Sequence, residues 1–467
     1  MIAQQDRHDY PDKPRCVVSP NDLEPIGVWM PTSTRTLEVG LAATERSLKE
    51  LTADRSLRMS ILAGFREALL RRRRLLVARV VQEVGKLPHE AAAEFDYAIA
   101  FLDYAINLLE GSSQSGASGS IGRILTVPVG VAHLICPYND PVAGLTRKIA
   151  PAIAAGCPVV IQPSPRAMLC AELVEEALAE ADPIGASTWL KCDLPALAEF
   201  VMAHRAVNVV SFTGSTSTGR AVAEVAGRNF VRCILELGGN NWFTVFADAD
   251  IDKAVDDLVA RKIKAAGQAC SSVNRIAVEA DIYANFRSRL QQRIADLLVG
   301  PAGTPGAAMG PVRGLEDVVR LQKLVEAGQS NGERLIHQAP PGQGIPGPDT
   351  CMPLLVLETL TGDKSVLDEQ EAFGPVMGLT RIDDLDAHFE RVRNNQQPLV
   401  SYLYGARTSF LESIAPTLRH GSVGINTTGI QGPHLPTGGF GASGLGREGG
   451  VEGLREFETT INLRVGE

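Results

Sequence analysis

The sequence predicts an α/β fold built on parallel sheets, and three observations carry the prediction. From Gly122 onward, short apolar runs alternate with helical repeats. The runs at 158–161 and 207–212 are apolar on consecutive residues, as strands covered on both faces are. A glycine-bearing turn, 212–219, stands between one such strand and a helix pattern.

Before that point the chain is helical in texture. Leu62, Phe65, Ala68, Leu69, Leu76 and Val80 recur at spacings of three and four, and a second amphipathic run over 91–109 carries Phe95, Ile99, Phe101, Leu102, Ile106 and Leu109. The basic run 71–74, flanked by leucines, reads as the wet face of a helix. The stretch GSSQSGASGS at 111–120 is either a surface loop or a turn between domains. Residues 124–136 are strand-like, interrupted at Gly130. Helix patterns at 142–155, 167–181 and 219–226 then alternate with the strands at 158–161 and 207–212. A second α/β unit opens near Gly239. Its strand 242–246 is followed by Asp248, Asp250 and Asp252 at a helix start, where carboxylates meet the positive end of the helix. Further strands are expected at 275–278, 352–357 and 423–425, with a Pro/Gly-rich surface loop at 338–348. The strand-like segment 456–465 lies far in sequence from the core and is of the kind that pairs elsewhere, including with a neighbouring subunit.

Composition bounds the function. The chain has 467 residues, which at roughly 150 residues per domain corresponds to about three units. With 45% apolar and 21% charged residues it is neither disordered nor fibrous. A formal charge of −9 opposes broad binding to nucleic acid or to an anionic membrane. The eight cysteines form no C-x-x-C pair and the histidines are scattered, so no metal site is expected. Residues 1–15 do not resemble a signal peptide and no 18-residue apolar run occurs, which points to a cytoplasmic setting without a membrane span.

Four segments carry groups capable of chemistry, and each also has a plain structural reading. The turn containing Gly214, Ser215 and Gly219 suits a phosphate at a helix start, or is simply a tight turn. Glu236, in LELGGN, is either a base in a cleft or a charged residue at a strand end. Cys270, in GQACSS, is either a nucleophile or a small core hydrophobe. Asn139, in CPYNDP directly after a strand, is either an oxyanion donor or a turn residue.

Taken together, in this order, these segments resemble the aldehyde dehydrogenase superfamily, and Glu236 and Cys270 stand at the family's separation of 34 residues. GCPVVIQPSP from Gly156, EAFGPV from Glu371 and PTGGFGASGLGREGG from Pro436 extend the resemblance over most of the chain. It implies an aldehyde dehydrogenase-like fold. A Rossmann-type cofactor domain would take residues 1–112 and 134–239, and an α/β catalytic domain residues 240–440. A small β oligomerisation arm would be formed by 113–133 with 441–467. It implies Cys270 as nucleophile, Asn139 with the Cys270 amide as oxyanion hole, and Glu236 as the base that activates water. Gly214, Ser215 and Gly219 would lie at the pyrophosphate of NAD or NADP, Glu371 at the nicotinamide ribose and Phe373 beside the nicotinamide. It also implies a homodimer or homotetramer.

The departures from the family pattern are informative. At the adenosine ribose the usual lysine is Gln162, near Ser164, and the usual glutamate is Pro165, so these positions do not choose between NAD and NADP. Tyr138 replaces a tryptophan at the substrate mouth. The texture is nearest the succinate-semialdehyde dehydrogenase group. That group's first carboxylate-binding arginine matches Arg147, eight residues after Asn139. Its second, six before the nucleophile, is Lys264 here. An anionic aldehyde such as succinate semialdehyde is therefore expected, unless both residues are plain surface cations. Neutral or aromatic aldehydes, acyl transfer to coenzyme A and a non-catalytic structural relative are the alternatives.

Overall fold

The computed structural model describes residues 13–111, 118–119, 122–192, 195–337, 347–359 and 364–465. Two parallel-rich sheets form its centre. The first has six strands in the order Gly444–Leu445, Arg232–Glu236, Val207–Thr213, Val131–Ile135, Val159–Gln162 and Ser187–Trp189. All its neighbours run parallel except Gly444–Leu445, which pairs antiparallel with Arg232–Glu236 so that Gly444 faces Glu236. The second has seven strands in the order Arg334–His337, Leu355–Glu358, Val376–Ile382, Val273–Glu279, Asn241–Val245, Val400–Tyr404 and Ser422–Ile425. A separate antiparallel sheet joins Glu458–Leu463 to Gly122–Pro128 and Ser118–Gly119.

The terminal stretch expected to serve wholly as arm is therefore divided. Glu458–Leu463 pairs with Gly122–Pro128, whereas Gly444–Leu445 extends the first sheet beside Glu236. The strand expected at 352–357 begins only at Leu355, because Pro353 has no N–H to donate to a ladder. The expected loop at 338–348 lies mostly outside the described residues, as does most of 111–120.

The helix expected over residues 62–80 is two helices, Arg55–Arg71 and Arg73–Val84, meeting at Arg72. The basic run at that junction is balanced by acids: Arg71 and Arg72 pair with Glu180, and Arg73 with Asp96. Their apolar faces bury Leu62, Phe65, Leu69 and Val80 against the helices Pro88–Gly111 and Met168–Ala181. Asp250 caps the helix Ile251–Ile263 by accepting from the Lys253 amide at 3.0 Å, which satisfies one of the free amides of that helix start.

The helix Pro141–Ala155 matters most for the site. It is buried along nearly its whole length, including Thr146, Arg147 and Lys148. Its first turn is held by Glu94, whose carboxylate accepts from the amides of Val142 and Ala143 at 2.8 and 3.3 Å. Glu94 in turn pairs with Lys86, which also meets Asp140. A helix locked at its start by buried charges presents its side chains rigidly to the neighbouring cavity.

Candidate active site

A cavity of about 630 Å³ opens at the carboxyl ends of the first sheet's parallel strands, where ligands bind in open α/β sheets. Cys270, Glu236 and Asn139 line it, as do Gly214, Ser215, Gln162, Ser164, Glu371, Phe373, Arg147, Lys264 and Tyr138. Gly219 does not. It packs under Leu237, where any Cβ would strike the leucine side chain, so its role is close approach of helix Thr216–Arg228 to the sheet.

The segment LELGGNN shows why small residues and amides follow the carboxylate. Gly238 leaves room for the Glu371 carboxylate. A Cβ on Gly239 would lie 2.5 Å from the carbonyl oxygen of Cys270. Asn241 donates to the carbonyls of Cys270 and Ser272 at 2.6 and 2.8 Å and so holds the cysteine loop on both sides. Just before that loop, Ala265, Ala266 and Gly267 have φ of 50°, 53° and 74°. Two alanines in the left-handed region cost energy that the surrounding contacts must supply. One such contact is the Ala265 amide donating to Glu90 at 2.9 Å.

Cys270 is half-buried and free. Burial, then the Glu236 carboxylate, pushes its thiol up to about 12, while Arg147 and Arg261 oppose the shift. Glu236 is 1% exposed, and neither of its oxygens has a hydrogen-bond partner among the described residues. Burial, then the nearby Glu448 carboxylate, raises it to about 8, against Arg147 and Lys148. A carboxyl poised near neutrality beside a thiol is a proton acceptor in waiting. The Asn139 amide donates to the Gln268 carbonyl at 3.0 Å, which aims it at the cysteine loop.

Behind these groups lies a buried charge cluster. Glu448 accepts from Lys148, Ser211 and Thr213, and its other oxygen stands 3.0 Å from the Arg147 Nε. Arg147 is thus not a surface cation: it is 7% exposed, and its charge is balanced by Glu448 rather than left for a ligand. Lys264 is exposed at the cavity mouth.

Where a cofactor is concerned, the fit is good at the helix start. Ser215 caps Thr216–Arg228, and Gly214, Ser215 and Thr218 border the cavity, so free amides and a small residue meet an incoming phosphate. At the ribose end the Gln162 amide is occupied, bonding His133 at 3.1 Å and the Cys192 sulfur at 3.3 Å. Ser164 caps the turn Pro165–Ala167. Tyr138 lies 6.2 Å from the Phe373 ring, and the Arg166 guanidinium covers its other side at 4.0 Å.

Among the cavity residues that escaped the sequence reading are Arg166, Arg261, Arg320 and Gln431. Arg261 carried a signal, because it stands in the last turn of helix Ile251–Ile263, three residues before Lys264 and nine before Cys270. Gln431 carried none, since its loop is brought to Ser271 only by the fold.

Comparison with known proteins gives the family and the fold. The family model described as "Aldehyde dehydrogenase family" matches residues 11–462. The chain is 33% identical over 398 residues to a probable succinate-semialdehyde dehydrogenase [NADP(+)] of Sinorhizobium fredii, covering 84% of this chain and 80% of that protein. It is 34% identical over 389 residues to a non-phosphorylating aspartate-semialdehyde dehydrogenase of Halomonas elongata, covering 81% and 77%. The crystal structure of succinate-semialdehyde dehydrogenase from Burkholderia pseudomallei superposes with a TM-score of 0.89 at 28% identity, covering 97% of this chain and 95% of that one.

Proposed function

The chain belongs to the aldehyde dehydrogenase family, and we propose that within it this enzyme oxidises a short aldehyde bearing a distal anionic group, such as succinate semialdehyde, using NADP or NAD. The observation that carries the reading is the convergence of Cys270, Glu236 and Asn139 on one cavity that also holds cations beside the nucleophile. The relatives above, each named a semialdehyde dehydrogenase, support the substrate class, and the first of them supports NADP.

The residues divide the chemistry as follows. Glu236 takes the Cys270 proton, and the thiolate adds to the aldehyde carbon. The resulting alkoxide is held by the Asn139 amide and the Cys270 backbone N–H, donors that strengthen as charge develops. When bound, the nicotinamide of NADP or NAD would supply the acceptor for the hydride that the thiohemiacetal carbon loses on becoming a thioester. Glu371 and Phe373 line the cavity where they would orient that ring, and the start of helix Thr216–Arg228 would hold the phosphates. Glu236 releases the cysteine's proton to solvent and then takes a proton from water, whose oxygen attacks the thioester; the C–S bond breaks, the acid leaves, and the Cys270 thiolate regains its proton from Glu236. Arg147 acts on this sequence electrostatically, since its charge favours both the thiolate and the ionised Glu236.

Replacing Asn139 by alanine is expected to lower kcat by about 10²- to 10³-fold, the usual cost of one oxyanion donor. Steady-state kinetics would check it; an unchanged kcat would remove Asn139 from the oxyanion hole. The substrate reading is tested by initial rates of cofactor reduction with NADP and NAD against succinate semialdehyde, butanal and benzaldehyde, with and without coenzyme A. A clear preference for the anionic aldehyde, indifferent to coenzyme A, is the expected result. Equal rates with butanal would overturn the anionic assignment, and a coenzyme A requirement would overturn hydrolysis.

Exposed Ile124, Leu125 and Ile461 on the small antiparallel sheet support a homodimer or homotetramer, measurable by light scattering. Among the described residues none of the eight cysteines forms a disulfide, which suits a reducing cytoplasmic setting.

A further inference from the structure

Five cations line the cavity: Arg147, Arg166, Arg261, Lys264 and Arg320. Three of them face carboxylates. Arg147 meets Glu448 at 3.0 Å, Arg166 meets Asp317 and Glu316, and Arg320 stands 3.6 Å from Asp317 while donating to the carbonyls of Ala372 and Phe373. Among the described residues no carboxylate lies within ion-pair distance of Arg261 or Lys264. Lys264 is exposed and therefore solvated, but Arg261 is only 9% exposed. Its Nε donates to the Ser271 carbonyl at 3.1 Å, and a terminal nitrogen donates to the Ser271 hydroxyl. Tyr402, which donates to the same Ser271 carbonyl at 2.8 Å, is a further neutral neighbour.

A buried guanidinium whose hydrogen-bonding partners are all neutral keeps a full positive charge uncompensated, a costly arrangement unless an anion completes it. Arg261 faces the cavity, and its partner Ser271 is the residue next to the nucleophile. An anion beside Arg261 therefore lies within a short chain's length of the Cys270 sulfur. Deepening the substrate reading above, on which it rests, we propose that Arg261 is the primary receptor for the distal carboxylate of the aldehyde. Lys264, three residues on and just past the helix end at the mouth, guides the anion inward. Gln431, whose amide reaches the Ser271 hydroxyl at 3.4 Å, supplies a neutral donor on the opposite side. Ser271 holds the Nε edge of the guanidinium, so the fork is oriented before substrate arrives. Arg147 is left to Glu448 and to setting the protonation of the catalytic pair.

The test compares Arg261→Gln, which keeps a neutral donor for Ser271, and Arg261→Lys with the parent cofactor-loaded enzyme. The readout is the ratio of kcat/KM for succinate semialdehyde to that for butanal. In Arg261→Gln this ratio is expected to fall about 10- to 100-fold, mainly through KM for the anionic aldehyde, as loss of one charge-assisted hydrogen bond implies. Arg261→Lys should recover part of it. An equal loss with both aldehydes would make Arg261 a support for the Ser271 loop and overturn the proposal, and so would an unchanged ratio. A second measurement needs no turnover: the rate of Cys270 alkylation by anionic iodoacetate relative to neutral iodoacetamide should drop in Arg261→Gln, and succinate should slow iodoacetate in the parent protein. Absence of both effects would also overturn it. A parent enzyme with no preference for succinate semialdehyde fails the substrate reading itself, whereas a preference that survives Arg261→Gln fails only the assignment of Arg261.

Discussion

Cys270→Ala is expected to lower turnover by about 10⁴-fold or more while NADP binding, followed by fluorescence, stays near the parent value. The reason lies in the separation of tasks within one cavity. In the proposed mechanism the sulfur is the group that bonds to substrate, and no other cysteine lining the cavity is placed to replace it. Cys136 also borders the cavity, but it is buried and its thiol is pushed up to about 12 by that burial. The phosphate-facing helix start and Glu371 belong to other elements and do not depend on the sulfur. Removing Sγ also removes little volume from a half-buried loop, so the fold should persist. Normal turnover in this variant would end the dehydrogenase assignment, and simultaneous loss of cofactor binding would show that the loop, not the nucleophile, had been damaged.

Glu236→Gln is expected to separate the two halves of the reaction. If Glu236 activates the water, the variant should form one equivalent of reduced cofactor per site and then turn over about 10²- to 10⁴-fold more slowly, holding the acyl group on Cys270. Mass spectrometry of the quenched protein would detect the thioester. Loss of the first burst as well would mean that Glu236 is needed to generate the thiolate, because the glutamine amide cannot accept that proton. The pH profile carries the same information. A carboxyl raised to about 8 is largely protonated at pH 7 and becomes a base only as pH rises. The deacylation rate of the parent enzyme should therefore climb through about pH 8 and level off above it, and the glutamine variant should lose that limb. A parent profile flat between pH 6 and 9 would contradict the assignment.

The burial of Glu236 is not visible in LELGGN. A glutamate at the end of an apolar stretch is, by local pattern, a strand terminus. It is the pairing of Gly444 against Glu236 and the packing of Glu448 behind it that take the carboxylate out of water. The opposite holds for Gly239 and Asn241, whose roles follow from residue type. A backbone that must pass within contact of the Cys270 carbonyl admits no Cβ, and a carbonyl that must be held needs an amide donor nearby.

Gly219 and Arg147 show the limits of reading by position. Gly219 sits where a phosphate-binding glycine is expected, yet its missing side chain serves Leu237. Arg147 stands at the spacing of a carboxylate receptor, yet it faces Glu448, a residue 301 positions later in the chain. No local pattern announces a partner so remote.

By itself, then, the sequence determined the alternation of strands and helices from Gly122 onward, the three candidate residues Cys270, Glu236 and Asn139, and the family to which the chain belongs. Those features depend on local periodicity, on turn chemistry and on residue types that few alternatives can replace. Only the tertiary structure decided which cations are spent and which are free. Charge balance in a buried cavity depends on what packs behind each side chain, and the elements that pack there, from Lys86 and Glu94 to Glu448, come from both ends of the chain.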